Sequence, residues 1–158
     1  MKTKTIDVYE YSELSSAAKA RARYTILTEY FWIDESINSV RAFCDLFGVK
    51  ITDWALSPCS YSYILTNAAQ DNFRGIKPSS IPKGDDCSLT GYCLDCDILS
   101  AFHDSVNKRG DIKTAFNDAI HAGVKSIVND MEYQDSEEYA LDYIEANGYE
   151  FDKNGRII

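Results

Sequence analysis

A chain of 158 residues that is 45% hydrophobic and 13% aromatic has material for one domain with a core, which excludes a disordered chain despite a net charge of −9. No segment approaches the ~18 apolar residues of a membrane-spanning helix. The opening Met1-Lys2-Thr3-Lys4-Thr5 runs into Asp7 and Glu10, unlike the apolar stretch of a secretory signal.

Alternation from Thr5 to Tyr11 predicts a short strand. Ser12 and Ser15 are natural caps for a helix over Ala17–Tyr30, with Ala20, Tyr24, Leu27 and Phe31 on one stripe. After Trp32-Ile33, Asp34 is placed to cap a second helix reaching Phe47, with Ile37, Val40, Cys44 and Phe47 at helical spacing and Gly48 as its stop. Val49–Leu56 and Tyr61–Thr66 read as paired strands joined by Ser57-Pro58-Cys59-Ser60. From Asn67 to Gly91 the periodicity vanishes. With Pro78, Pro82, Gly75, Gly84 and Gly91, residues 67–91 read as one long surface loop, a type that is often functional.

A helix is expected over Cys93–Lys108, with Leu94, Ile98, Phe102 and Val106 on one face and Gly110 beyond it. Asp111 opens the clearest amphipathic helix, its stripe running through Ile112, Ala115, Phe116, Ala119, Ile120, Ile127 and Met131, with Gly123 as a weak point. Asp135-Ser136-Glu137-Glu138 matches a capping box with Asp135 as the cap, and Asn147-Gly148 ends the helix it starts. Tyr149–Phe151 and Arg156–Ile158 read as a closing hairpin around Asp152-Lys153-Asn154-Gly155. The expected class is α+β: a single domain over 1–158, a short antiparallel sheet packed with four to five helices.

The charge is concentrated. Asp130, Glu132, Asp135, Glu137, Glu138, Asp142, Glu145, Glu150 and Asp152 lie in a window without Lys or Arg, and these nine acids account for the whole net charge of −9. Such a face repels nucleic-acid phosphates and attracts basic surfaces, so no direct nucleic acid is expected as partner. Two readings stand. One makes Asp130, Glu132, Asp135, Glu137, Glu138, Asp142 and Glu145 a partner-binding face, a nucleic-acid mimic offered to a basic groove. The other makes them a solvated helix face that keeps the chain in solution.

The five cysteines are odd in number and irregular in spacing, which argues against a disulfide framework and for a reducing cytoplasm. Cys93-Leu94-Asp95-Cys96 is a CxxC with Cys87 upstream and His103 downstream. On one helix Cys96 and His103 stand about 10.5 Å apart at ~1.5 Å per residue, too far to share one zinc ion. A zinc- or thiol-dependent module built on Cys87, Cys93 and Cys96, completed by Cys59 or Cys44, is the alternative from another class. No strand precedes the CxxC to give it a redox-enzyme setting, so its cysteines also read as small core or loop residues. Cys59 with His103 or His121 is a weak nucleophile pair, since nothing local resembles a nucleophile setting. No glycine-rich phosphate loop or HExxH spacing occurs. No cofactor is expected, and nothing compels catalysis.

Ile6-Asp7-Val8-Tyr9-Glu10-Tyr11-Ser12-Glu13-Leu14-Ser15, followed by Ala17-Ala18-Lys19-Ala20-Arg21-Ala22, resembles the start of small bacteriophage and prophage accessory proteins, often labelled antitoxin-like. The stretches Ser136-Glu137-Glu138-Tyr139, Ala146 to Asp152 and Gly155-Arg156 are similar to their endings, and Gly91-Tyr92 is a weaker match. The likeness covers the two ends and leaves Phe73–Lys83 unmatched. It brings no catalytic motif. What it implies is a protein made in the cytoplasm of an infected bacterium, an anti-CRISPR or antirestriction type inhibitor of a host defence protein. An antitoxin-like or regulatory protein-binding module is the neighbouring reading.

Overall fold

The computed structural model describes residues 7–27, 30–66, 73 and 75–158. Among them are five α-helices and one two-stranded antiparallel sheet, so the class is α+β as expected. Contacts group the chain into two compact units: Met1–Phe31 with Met131–Ile158, and Trp32–Asp130. No helix among the described residues is long and apolar enough to cross a membrane.

In the first unit the Ser15 side chain accepts a hydrogen bond from the Ala18 amide and starts α1 (Ser16–Ile26). Its buried residues are Ala18, Ala22 and Ile26. The expected stripe is therefore displaced, and Tyr24 is 82% exposed. Small alanines let neighbouring backbone approach α1 closely, which a stripe of large side chains would prevent. The helix also stops short of Tyr30, with Leu27 already outside helical geometry (ψ 64°).

The strand expected before α1 is reduced to a single bridge between Tyr9 and Phe151; Thr5 and Ile6 lie outside the described residues. The Glu13 carboxylate accepts from the Glu10 amide at 2.9 Å, which draws Tyr11–Glu13 into a 3-10 turn instead of extended chain. At the other end Phe151 also bridges to Ile157. Asp152 Oδ1 accepts from the amides of Asn154 (2.8 Å) and Arg156 (3.0 Å), so the expected turn is present and the hairpin shrinks to isolated bridges around it. Tyr11, Leu14, Ala18, Ala22, Ile26, Ile144 and Phe151 form this unit's core, with α5 (Glu137–Asn147) packed on α1. Ser136, not Asp135, caps α5, its side chain accepting from the Tyr139 amide at 3.1 Å.

In the second unit α2 (Ile33–Asp45) follows Trp32, which takes a left-handed conformation (φ 63°). Strands β1 (Ile51–Ser57) and β2 (Ser60–Leu65) pair in register Trp54↔Tyr63 and Leu56↔Tyr61, with an irregularity between Ile51 and Asp53. Cys59 sits at φ 93° in the turn between them. The loop expected at 67–91 shows a 3-10 turn at Pro78–Ser80 and no strand or α-helix among its described residues. The α3 helix (Leu94–Arg109) ends on Gly110, whose φ of 71° suits glycine. Asp111 then caps α4 (Ile112–Gln134) by accepting from the Thr114 amide at 2.8 Å.

Phe43, Phe47, Phe73, Phe102 and Phe116 interlock at centroid separations near 5 to 6 Å, Phe47–Phe116 being closest at 4.8 Å. Such offset and edge-on pairs add to the burial term. Gly123 is not a weak point of α4. A Cβ there would lie 2.7 Å from Ile98 Cγ1 and 3.3 Å from Val40 Cγ2, so glycine is what permits this close packing.

Candidate functional site

The acidic segment folds as the end of α4, the connection through Asp135 and Ser136, and α5. Ala140 and Ile144 turn one side of α5 into the core, and Tyr139 and Tyr143 are half-buried beside them. At 100° per residue, Glu138, Asp142 and Glu145 then cluster on the opposite, exposed side, whereas Glu137, also exposed, falls in the angular sector of Ile144 and outside that cluster. Glu132 and Asp135 are exposed in the same unit, and Asp130 is exposed at the end of the second unit. The structure thus brings Glu138, Asp142 and Glu145 together on one helix face and leaves Glu137 off it.

Two further observations describe this face. Tyr133 donates its hydroxyl to Asp142 Oδ2 at 3.2 Å. That bond holds the Tyr133 phenol above the ordinary tyrosine range, with desolvation and then the charges of Asp142 and Glu138 adding to it. Aromatic rings also line the segment: Tyr133 meets Tyr139 edge-on at 5.5 Å, Tyr139 stacks on Tyr143 at 5.9 Å, and Tyr143 stacks on Phe31 at 5.8 Å.

Asp135 is engaged differently from the expectation. Its Oδ2 accepts from the Tyr30 hydroxyl at 3.0 Å, and its backbone carbonyl accepts from the Arg23 guanidinium at 2.6 Å. Freed from the capping role that Ser136 takes, Asp135 anchors the start of α5. Sequence reasoning missed Arg23 and Tyr30, which lie over a hundred positions away and carry no local signal.

The cysteine segment holds a second constellation. Asp95, in the first turn of α3, is fully buried. Its Oδ2 accepts from the amides of Leu89 (3.0 Å), Thr90 (2.6 Å) and Gly91 (3.1 Å), and its Oδ1 from the Thr90 hydroxyl (3.1 Å). A buried carboxylate is tolerable when its lone pairs are filled in this way. The spacing of an acid just inside a helix, preceded by Thr90-Gly91, is the signal that could have pointed to it. Cys87 and Cys96 approach to 3.0 Å between sulfurs, both half-buried. Cys93 and Cys59 are exposed, and Cys44 is buried. Among the described residues no group of three or more His, Cys, Asp and Glu side chains is arranged to hold a metal ion.

Both histidine rings have partners. The His103 ring nitrogen Nε2 donates to the Pro82 carbonyl at 2.8 Å, and His121 Nδ1 shares a hydrogen bond of 2.7 Å with the Tyr61 hydroxyl. Comparison with protein-family models, with curated proteins and with solved structures found nothing that matches this chain.

Proposed function

We propose that this chain works by binding a macromolecule with a basic surface through the acidic face of α5, without catalysing a reaction. The observation that carries the reading is the exposed grouping of Glu138, Asp142 and Glu145 on a helix whose other side is core. No Lys or Arg lies between Asp130 and Asp152 to neutralise it. Clustered charge of one sign accelerates encounter with the opposite sign and rejects like-charged partners. A groove that normally holds nucleic acid has the matching chemistry. The resemblance of both chain ends to phage accessory proteins makes a bacterial defence nuclease or its targeting complex the class of partner proposed, with an antitoxin-like partner as the neighbouring case.

The test is capture from bacterial lysate on the immobilised full chain, washed over a salt gradient, beside a Glu138→Gln/Asp142→Asn/Glu145→Gln variant. A captured nucleic-acid-binding protein that elutes with salt, is displaced by short duplex DNA, and is lost with the variant supports the reading. Equal capture by the variant and the parent removes it.

A further inference from the structure

Three thiols lie within ten residues, and the fold has sorted them. Cys87 sits in the loop before α3 and Cys96 in the first turn of α3, with their sulfurs 3.0 Å apart. Cys93 points to solvent. A CxxC motif alone suggests that Cys93 and Cys96 are partners; the structure pairs Cys96 with Cys87 instead.

The backbone on both sides of this contact is held. The Cys87 carbonyl accepts from the Gly91 amide at 2.9 Å, and the Cys96 amide donates to the Cys93 carbonyl at 3.1 Å. Between them the Asp95 carboxylate gathers the amides of Leu89, Thr90 and Gly91. The Thr90 hydroxyl also meets Ser39 of α2 at 3.0 Å. Cys87 itself has a left-handed backbone (φ 47°), unusual for a residue with a side chain. That conformation is part of a loop that carries the Cys87 sulfur onto Cys96. A disulfide has its sulfurs ~2.05 Å apart, so closure asks for a shift of about 1 Å in a loop already folded for it.

We propose that Cys87 and Cys96 are a reversible dithiol–disulfide pair, oxidised by a low-molecular-weight disulfide and reduced again by the corresponding thiol. In the forward direction one protein thiolate attacks the small disulfide, forming a mixed disulfide and releasing one small thiolate. The second protein thiolate then attacks the protein sulfur of the mixed disulfide and releases the other small thiolate. One S–S bond breaks and one forms. The two protein thiols give up two protons and two electrons, and the small disulfide leaves as two thiols. The product is a covalent clip across residues 87–96 that fixes the Asp95-centred loop to the start of α3. This site is independent of the acidic face.

The experiment uses the reduced full-length chain, equilibrated with glutathione and glutathione disulfide over a range of ratios, then acid-quenched and alkylated. Cleavage after Tyr92 and Leu94 separates the three thiols, whereas cleavage at Lys and Arg leaves them on one peptide. The expected result is the loss of two alkylatable thiols of the five, with Cys87 and Cys96 found linked. The loss persists in Cys93→Ser and is absent in both Cys87→Ser and Cys96→Ser. Amide exchange at Leu89, Thr90 and Gly91 slows in the oxidised form. A Cys93–Cys96 link, or five alkylatable thiols at every ratio tried, overturns the proposal.

Discussion

Gly155 rests against the backbone of Ala18. A Cβ built on Gly155 would lie 2.8 Å from the Ala18 carbonyl carbon and 3.1 Å from its Cα, closer still to its oxygen, and Gly155 has φ +79°. The turn it completes is also held to α1 by the Arg21 guanidinium, which donates to the Asn154 carbonyl at 3.2 Å. Gly155→Ala therefore combines left-handed strain with a backbone clash. We expect a loss of about 3 kcal/mol in urea unfolding. Gly148→Ala is the control, since Gly148 also has a positive φ but nothing within 4 Å, and it is expected to cost only about 1 kcal/mol. Equal losses would mean that strain, not the approach to Ala18, decides the cost.

Asp95→Ala strands three loop amides and the Thr90 hydroxyl without their shared acceptor. Losing charge-assisted hydrogen bonds at a buried site costs about 3 kcal/mol or more. Asp95→Asn keeps one carbonyl oxygen and should lose roughly half as much. Chemical denaturation measures both. A loss under about 1 kcal/mol for Asp95→Ala would show that water replaces the carboxylate at little cost.

Helix positions were legible in the sequence because α2, α3 and α4 bury large residues at regular spacing: Val40, Phe43 and Cys44, then Ile98 and Phe102, then Phe116 and Ile120. The α1 stripe was not, because its buried side is alanine, and alanine reports helix propensity without saying which face is inside. The two terminal strands failed for another reason. Alternation over a few residues cannot distinguish a ladder from one bridge flanked by turns, and here Glu13 and Asp152 supply the turns through side-chain bonds. The acidic face was visible as composition, and the helix phase added which acids share it. The Cys87–Cys96 contact was not visible, since CxxC spacing favours Cys93 as the partner and only the Asp95-centred loop places Cys87 instead.

Thiol reactivity should follow the structure. Burial, with Asp45 nearby, pushes the Cys44 thiol up to about 12. The hydrogen bond to Cys96, then desolvation and the charges of Cys96, Asp95 and Cys93, push Cys87 up to about 11. Thiolate is the reactive form. At neutral pH the exposed Cys59 and Cys93 should therefore be alkylated first, and Cys44 only on unfolding. Cys87 labelling should quicken as pH rises toward 11, about tenfold per unit while the thiolate fraction is small. Time-resolved alkylation with peptide mapping reads all of these rates, and rapid labelling of Cys44 in the folded chain would contradict the burial seen here.

Acid sensitivity has a defined sign. Asp152 is held below the ordinary carboxylate value of 3.8, first by the Arg156 amide and then by the Asn154 amide, while desolvation opposes the shift. Asp111 is lowered chiefly by its hydrogen bonds from Thr114. A carboxyl depressed in the folded state stabilises the fold above its unfolded value, and that contribution disappears as pH falls through the folded value. Stability should thus decline below about pH 4. Asp152→Asn keeps a turn acceptor and removes the titration, so its stability should fall less steeply over that window. Parallel acid profiles for the variant and the parent would assign the decline to other carboxylates.

Neutralising the α5 face separates a binding role from a solubility role. Glu138, Asp142 and Glu145 are exposed while Ala140 and Ile144 carry the packing. The variant Glu138→Gln/Asp142→Asn/Glu145→Gln should therefore change stability by no more than ~0.5 kcal/mol per site. Relief of like-charge repulsion between Glu138 and Asp142, four apart on the helix, opposes the weakening of the Tyr133 bond, which Asp142→Asn leaves with a neutral carbonyl acceptor. Association is a different matter, because rim charges act on the encounter rate and its salt dependence more than on dissociation. Against the partner recovered by capture, the variant should associate at least tenfold more slowly at low salt, with the difference shrinking as salt screens the face over a Debye length of ~8 Å at physiological strength. Its dissociation rate should move far less. Stopped-flow or surface-binding kinetics at two ionic strengths give both numbers. An association rate equal to the parent's at both would assign these acids to keeping the chain in solution, and the loop at 67–91 would become the segment to substitute next.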